Sequence, residues 1–197
     1  KEMLSHKKSL NILRKTDALL EGHFVLSSGL HSSKYIQCAK LLSFPHLAQI
    51  ICRSLAIKIN KNFKNFDLIL APAMGGVVIG YEIGRILKKE TIFCERVKGK
   101  FTLRRGFKIE KNKKVLIIED VITTGKSSME CVQLIKKNNA NVVGFASIID
   151  RSRKKTLKIK KKIISHLKIN VPTYKKNKLP KYLESIPLTI PGSRYIK

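Results

Sequence analysis

The chain is expected to be an α/β protein: a central parallel sheet with helices on both faces, plus a small N-terminal hood. Three observations lead there. Short apolar runs at Asp67–Ala71, Thr91–Cys94, Val115–Glu119 and Val142–Ile149 read as buried strands. Segments with helical spacing alternate with them, and strand–helix–strand repetition implies parallel strands covered on both faces. The chemically rich residues fall just after three of these strands, at Pro72–Gly76, Glu119–Ser127 and Asp150–Arg151. Ligands of such sheets bind beyond the carboxyl ends of the strands.

The elements follow in chain order. Ser9–Glu21 carries leucines at near-helical spacing and is expected to be a helix ended by Gly22 at C′. Phe24–Ser33 reads as a strand, a tight turn and a loop, and Tyr35–Leu42 as a second strand. Pro45 opens a helix to about Asn62, with Leu47, Ile50, Ile51, Leu55 and Ile59 on one face. Pro72–Gly76 is a turn and Val77–Lys88 a helix. Segment 95–112 is long, basic and punctuated by Gly99 and Gly106. Long loops within compact domains are commonly functional, so it is read as a mobile cationic lid; the competing reading is a solvated hairpin. Ser127–Asn138 is a helix, and Ile163–Ile169 holds a further strand. Pro172–Ile186 holds a short helix, and the lysine-rich tracts at 153–155 and 160–162 read as solvated turns. The organisation is a single domain: hood about 9–42, core about 46–170, mobile loop about 95–112.

Composition narrows the functional classes. A chain of 197 residues buries one substantial core. No apolar run approaches the roughly 20 residues that span a bilayer, and the first residues lack the apolar centre of a signal peptide. The four cysteines are widely spaced without a Cys-x-x-Cys pair, which disfavours zinc or a disulfide framework and fits the cytoplasm. The net charge is +28, from 41 basic and 13 acidic residues. Yet 32 of the basic residues are Lys and only 9 are Arg. Arg is the residue suited to bidentate recognition of nucleic acid. The charge therefore reads as surface composition, with anionic small substrates as a second cause and a nucleic-acid partner disfavoured.

One segment concentrates the chemistry: Val115-Leu-Ile-Ile-Glu-Asp-Val-Ile-Thr-Thr-Gly-Lys-Ser-Ser128. A buried strand runs into two adjacent carboxylates, Glu119 and Asp120, and a desolvated carboxylate needs a partner. The turn at Thr123, Thr124, Gly125, Lys126 and Ser127 offers hydroxyls and helix-opening N–H groups, which suit a phosphate. Acids beside a phosphate cradle suggest a ligand carrying both a polyol and a phosphate. Gly125-Lys-Ser127 imitates the end of a Walker A motif, but that motif requires Gly where Asp120 stands.

The same stretch resembles the phosphoribosyl-pyrophosphate (PRPP) signature of type I phosphoribosyltransferases. Leu20–Tyr35, with its Phe-x-Leu-x-Ser-Gly-x-x-Ser pattern, is similar to the hood of the orotate phosphoribosyltransferase family. Pro72–Gly76, the Thr-Leu-Arg-Arg-Gly lid, Ile149–Arg151 and Pro191-Gly-Ser193 continue the likeness. The resemblance implies transfer of phosphoribosyl from PRPP to orotate, giving orotidine 5′-phosphate and pyrophosphate for UMP biosynthesis. It implies PRPP contacts from Glu119, Asp120, Val121, Ile122, Thr123, Thr124, Gly125, Lys126 and Ser127, with Arg96, Lys98 and Lys100 on the pyrophosphate. Glu119, Asp120 and Lys100 would be catalytic. Orotate would meet Arg151 through its carboxylate, Thr123 through its ring, and Ser28, Tyr35 and Ile36 in the hood. A salt bridge to Asp150 competes for Arg151, and a core role competes for Tyr35 and Ile36. Mg²⁺ would be held by substrate and water, with Asp120 as a candidate ligand and no dedicated protein site. A homodimer is implied, and association with orotidine 5′-phosphate decarboxylase is left open. Two departures stand out: many family members carry Lys where Ser27 stands, others where Gly75 stands. A purine-salvage phosphoribosyltransferase is disfavoured by the Ser28-Gly29 hood and Asp150-Arg151. A nucleic-acid-binding regulator on this fold is disfavoured because fewer than about 20 residues precede the first helix, too few for a DNA-binding unit.

Overall fold

The computed structural model describes residues 3–191. Ser5 caps helix α1 (His6–Lys15), its side chain accepting the Lys8 N–H. The helix ends earlier than its leucine spacing suggested. Asp17 adopts the left-handed conformation (φ 56°). The bonds Asp17 N–H to Arg14 O and Ala18 N–H to Leu13 O then close a Schellman-type end. Leu19, Leu20, Glu21 and Gly22 therefore belong to strand β1 (Leu19–Val25), where the register slips between Glu21 and Phe24. Gly22 is not a helix cap. Strand β2 (His31–Ile36) pairs antiparallel with β1, and residues 38–42 form the short helix α2 (Cys38–Leu42) instead of continuing a strand.

Helix α3 (Pro45–Asn62) matches its expected bounds, but its buried face is Ala48, Ile51, Cys52, Leu55 and Ile59, while Ile50 is exposed. The central sheet follows: β3 (Leu68–Pro72), β4 (Glu90–Val97), β5 (Lys100–Leu103), β6 (Lys114–Ile122), β7 (Asn141–Asp150) and β8 (Ile163–Lys168). Helices α4 (Gly75–Leu87) and α5 (Lys126–Lys137) make the crossovers. The spatial order is β5-β4-β3-β6-β7-β8. All neighbours from β4 to β8 are parallel; β5 alone is antiparallel, folding back on β4. Two cores lie on opposite faces of the sheet. Leu116, Ile118, Ala146 and Ile148 pack with α3 and α4, while Val115, Ile117 and Phe145 pack with Cys131 and Ile135 of α5. Truncating such a fully enclosed Leu or Ile to Ala costs about 2–5 kcal/mol.

The parallel α/β class with helices on both faces is thus borne out, and the hood is present. Its sheet has the order β2-β1-β9, where β9 (Leu188–Thr189) returns from the far end of the chain. Ser32 Oγ donates to Pro172 O, and His31 bridges Tyr174, so both ends of the chain build the hood. The expected short helix in 172–186 is α6 (Lys181–Glu184). Pro191 is described, whereas the Gly-Ser of the 191–193 motif lies outside the described residues.

Segment 95–112 departs from the expectation of a long loop. Its first part is the β4–β5 hairpin, turning at Lys98 (φ 47°) and Gly99 (φ 80°). Alternation explains why: Phe101 and Leu103 pack beside the α5-side core while Lys100 and Thr102 face solvent.

Candidate active site at the strand switch point

Strand order reverses between β3 and β6, which diverge into α4 and α5 on opposite faces. This is the crevice in which doubly wound sheets bind ligands. It is bounded by Pro72–Gly75 after β3 and by Asp120–Gly125 after β6.

Strand β6 continues through both acids to Ile122, pairing with β7 as far as Asp150. Successive side chains of a strand face opposite ways. Glu119 consequently reaches α5, where Ser128 Oγ donates to its Oε1. Asp120 faces α4: a Cβ built on Gly75 would lie 2.7 Å from Asp120 Oδ1. Asp120 Oδ1 also accepts the Val121 N–H at 2.9 Å. The two acids, adjacent in sequence, are thus anchored on different helices and flank the strand end from both sides. The close fit also accounts for Gly75, since no side chain enters that space without moving Asp120.

The electrostatics are unusual for so basic a chain. Burial, with Asp120 and Glu130 nearby, pushes the Glu119 carboxyl up to about 7, although the Ser128 hydrogen bond acts in the opposite direction. Burial also raises Asp120, against hydrogen bonds from the Val121 and its own backbone N–H. Among the described residues neither acid has a salt-bridge partner. Behind Asp120 stands Cys38, its Sγ 3.8 Å from the Asp120 carbonyl, and burial raises this thiol too.

Gly125 opens α5 with φ 74°, a conformation that strains any other residue. Its surroundings exclude a side chain as well, because a Cβ would lie 2.6 Å from Ile159 Cγ1. The first helical bond runs from Met129 N–H to Gly125 O. The N–H groups of Ser127 and Ser128 precede it and have no helical acceptor, at the positive end of a 12-residue helix. Between the two lysine-rich tracts, residues 157–159 strap this loop down: Lys158 N–H donates to Thr124 O at 2.8 Å, and Ile159 is buried. Arg151 N–H donates to Ile122 O at 2.9 Å.

The other expected residues divide. Thr123, Thr124 and Lys126 are exposed at the crevice, and Val121 and Ser127 are half-buried. Ile122 is buried in the core, so only its main chain is available. Arg151 is half-buried at the end of β7 and has no salt bridge among the described residues; Asp150 instead accepts the Ser152 N–H at 2.8 Å. Burial and Arg153 lower the Arg151 pKa, so an anion would be welcome there. In the hood, Tyr35 stacks tilted on Phe24 at 5.9 Å, and Ser28 is exposed at the hairpin turn. Ile36 is a core residue, packed in the same cluster as Leu19 and Leu41. Arg96 stands on β4. It pairs with Glu130 of α5 at 2.6 Å and lies over the Phe101 ring at 4.1 Å, so it grips the flank of α5. Lys98 and Lys100 are exposed near the same turn, without ion pairs among the described residues. Sequence reasoning missed Ser128, Glu130 and the Lys158 strap. Their only signal was a second hydroxyl after Ser127, which is unremarkable at a helix start.

The matching family model is the phosphoribosyl transferase domain, over residues 43–185. The chain belongs to the phosphoribosyltransferase family. An orotate phosphoribosyltransferase of Caldicellulosiruptor saccharolyticus is 46% identical over 95% of this chain and 97% of its own length. That of Parvibaculum lavamentivorans is 44% identical over 98% and 100%. Among solved structures, orotate phosphoribosyltransferase from Aeropyrum pernix superposes with TM-score 0.66 at 22% identity, over 81% of this chain and 92% of that one. The UMP synthase of Leishmania donovani gives 0.68 at 20%, over 82% of this chain and 36% of that one. At these identities the structures speak for the fold alone.

Proposed function

We propose that this chain transfers the phosphoribosyl group of PRPP to orotate, giving orotidine 5′-phosphate and pyrophosphate. One observation carries the reading: two half-buried, desolvated carboxylates, without salt-bridge partners among the described residues, flank a strand end that opens onto a helix N-terminus suited to phosphate. A negative, desolvated site prepared for developing positive charge is what an oxocarbenium-like ribosyl centre requires. The N–H groups at the start of α5, with Thr124 and Ser127, hold the 5-phosphate. Glu119 and Asp120 accept ribose hydroxyls and stabilise positive charge at C1 as its bond to pyrophosphate breaks and the bond to the orotate nitrogen forms. Arg151 receives the orotate carboxylate in a bidentate fork, and Thr123 the ring. Lys98 and Lys100, on the hairpin, meet the pyrophosphate, with Lys100 in the catalytic role. The full-length relatives named orotate phosphoribosyltransferase support the choice of acceptor.

Mg²⁺ belongs to the same proposal. Among the described residues no three His, Cys, Asp or Glu side chains gather to hold a metal. Mg²⁺ suits such a site, because it commonly keeps its waters and takes one carboxylate plus substrate phosphate oxygens. Asp120 is that carboxylate, and the ion would neutralise pyrophosphate charge when bound.

We extend the proposal to a homodimer. Met74, Val78 and Tyr81 form an apolar stripe at helical spacing on α4, with exposures of 84%, 52% and 69%. The stripe begins in the Pro72–Gly75 loop, so a second copy seated there abuts the site. Val78→Glu should yield a monomer in sedimentation; an unchanged dimer removes this face from consideration. Among the described residues no helix is long and apolar enough to cross a membrane. Four free buried cysteines support a cytoplasmic setting.

The test is pyrophosphate release that requires orotate, PRPP and Mg²⁺ together. Turnover with adenine, hypoxanthine or uracil but not orotate would overturn the acceptor. Arg151→Ala should raise the orotate KM at least tenfold more than the PRPP KM, and equal losses would remove Arg151 from the orotate site.

A further inference from the structure

Lys98 and Lys100 stand on a turn whose shape is fixed from within. Val97 pairs with Lys100, so only Lys98 and Gly99 lie between the strands, and both take positive φ, 47° and 80°. That is the pattern of the tight type I′ hairpin turn, whose twist matches the strands it joins. Lys98 holds a left-handed backbone that glycine or asparagine adopts more readily. Such conformations persist where the surroundings enforce them, and they gather at working sites. The turn is therefore a stiff arm, and its direction depends on what holds its side.

Strand alternation supplies that hold. Ile92 and Cys94 of β4 face the α5-side core, so Arg96 falls on the same face just beyond the edge of that core. Phe101 stands directly opposite Arg96 on β5 and packs against the same core. The Arg96 guanidinium lies over the Phe101 ring at 4.1 Å, donates to Gly99 O at 2.8 Å and pairs with Glu130 of α5 at 2.6 Å. One side chain thus joins the turn, the hairpin strand and the helix. The neighbouring acid, Glu95, points to the other face, where Arg105 takes both of its oxygens at 3.0 Å.

A cleft of about 360 Å³ opens between the turn and α5, lined by Gly99, Lys100, Gln133 and Lys137. Among the described residues, Arg96–Glu130 is the ion pair that ties the hairpin to the helix beside it. A partly exposed pair adds little to folding stability, so what this one fixes is direction. The helix it grips is the one whose N-terminus is suited to the 5-phosphate. The tie therefore sets the spacing between two anion-binding groups that one ligand must reach together.

On the reading of this turn as the pyrophosphate contact, we propose that Glu130 is a positioning residue: through Arg96 it fixes the Lys98–Lys100 turn relative to α5, and so sets the affinity for the pyrophosphate group of PRPP. Glu130 itself touches no substrate.

Calorimetric titration of the whole protein, with Mg²⁺ present, tests this on three ligands: PRPP, inorganic pyrophosphate and ribose 5-phosphate, which lacks the pyrophosphate. Alanine is the best helix former, so Glu130→Ala keeps α5. It should weaken PRPP and pyrophosphate about tenfold, less than a full 1 Å misplacement can cost, and leave ribose 5-phosphate within about twofold. Glu130→Gln, which still accepts from Arg96, should fall between. The sign is diagnostic, because removing an acid near an anion site would by charge alone tighten all three ligands. A readout free of ligand is trypsin cleavage at Arg96, Lys98 and Lys100, which should quicken several-fold in Glu130→Ala while the melting temperature holds. Tighter binding, or equal weakening of all three ligands, overturns the proposal. So does cleavage at the wild-type rate, or faster cleavage with unchanged pyrophosphate affinity. A wild type that binds PRPP but does not use orotate would count against the acceptor, and the selective loss in Glu130→Ala would still support the role of Glu130. A wild type that binds neither PRPP nor pyrophosphate would refute the phosphoribosyl reading and this one together.

Discussion

Replacing Glu119 by Gln should make the unliganded protein more stable while removing most of its activity. The carboxyl is half-buried between β6 and α5, pushed from 4.5 to about 7 chiefly by desolvation. Each tenfold change in proton affinity is worth about 1.4 kcal/mol, so ionising this group in the folded chain costs about 3 kcal/mol relative to the unfolded chain. The sign follows from linkage. A carboxyl raised by folding contributes its stability at low pH, begins to lose it above 4.5 and has lost it once the pH passes about 7. Gln has nearly the same shape, still accepts from Ser128 and never ionises. Glu119→Gln and wild type should therefore melt together near pH 4.5. They should diverge as pH rises, with the variant ahead at pH 8 by roughly 6–12 °C for a chain of this size. In the same variant kcat should fall by about 10²–10³, as when one preorganised electrostatic contact to a transition state is lost. The assay is a set of thermal scans from pH 4.5 to 8 beside steady-state rates. A variant less stable than wild type at pH 8, or a difference that does not change with pH, would refute the reasoning. Either would mean that Glu119 is not held against its own desolvation.

Two further outcomes follow from the same geometry. Gly75→Ala places a Cβ 2.7 Å from Asp120 Oδ1, so the carboxylate must shift; kcat/KM should drop by about 10²-fold, the typical result of a misplacement near 1 Å, and full activity would show that Asp120 needs no fixed position. His166, by contrast, tests the frame away from the site. Its ring is buried against Ser9 Oγ at 2.7 Å with Nδ1 unpartnered, and burial lowers it to about 4. A depressed base stabilises the fold above its ordinary value of 6.5, and that contribution is lost as pH falls through about 4. Wild type should lose about 3 kcal/mol over this interval from His166 alone, visible in urea melts, and His166→Gln should flatten the dependence; an unchanged slope would assign it elsewhere.

The parts of this protein legible in its sequence are those written in short-range pattern. Continuous apolar runs marked β3, β6 and β7, Pro45 marked the start of α3, and the dense stretch Val115–Ser128 marked the phosphate loop with its acids. These signals are local, because burial on both faces of a strand and the start of a helix each leave a mark within a few residues. Where local signals were misread, tertiary pairing decided. Leu19–Gly22 carried helical spacing but were drawn into β1 by pairing with β2, and the basic segment after Cys94 became a hairpin because β4 offered it an edge. The site depended on tertiary structure in the same way. Glu119 and Asp120 are neighbours in sequence, yet strand alternation sends one to α5 and the other to α4, so their separate anchors, Ser128 and Gly75, exist only once the helices dock on opposite faces. Arg96 carried the right charge for pyrophosphate, but Glu130, brought beside it by packing, claims it first. The sequence by itself determined which chemistry is present and near which strand ends. The tertiary structure decided which groups are free to use it, because burial and pairing are properties of neighbours that the chain brings together only on folding.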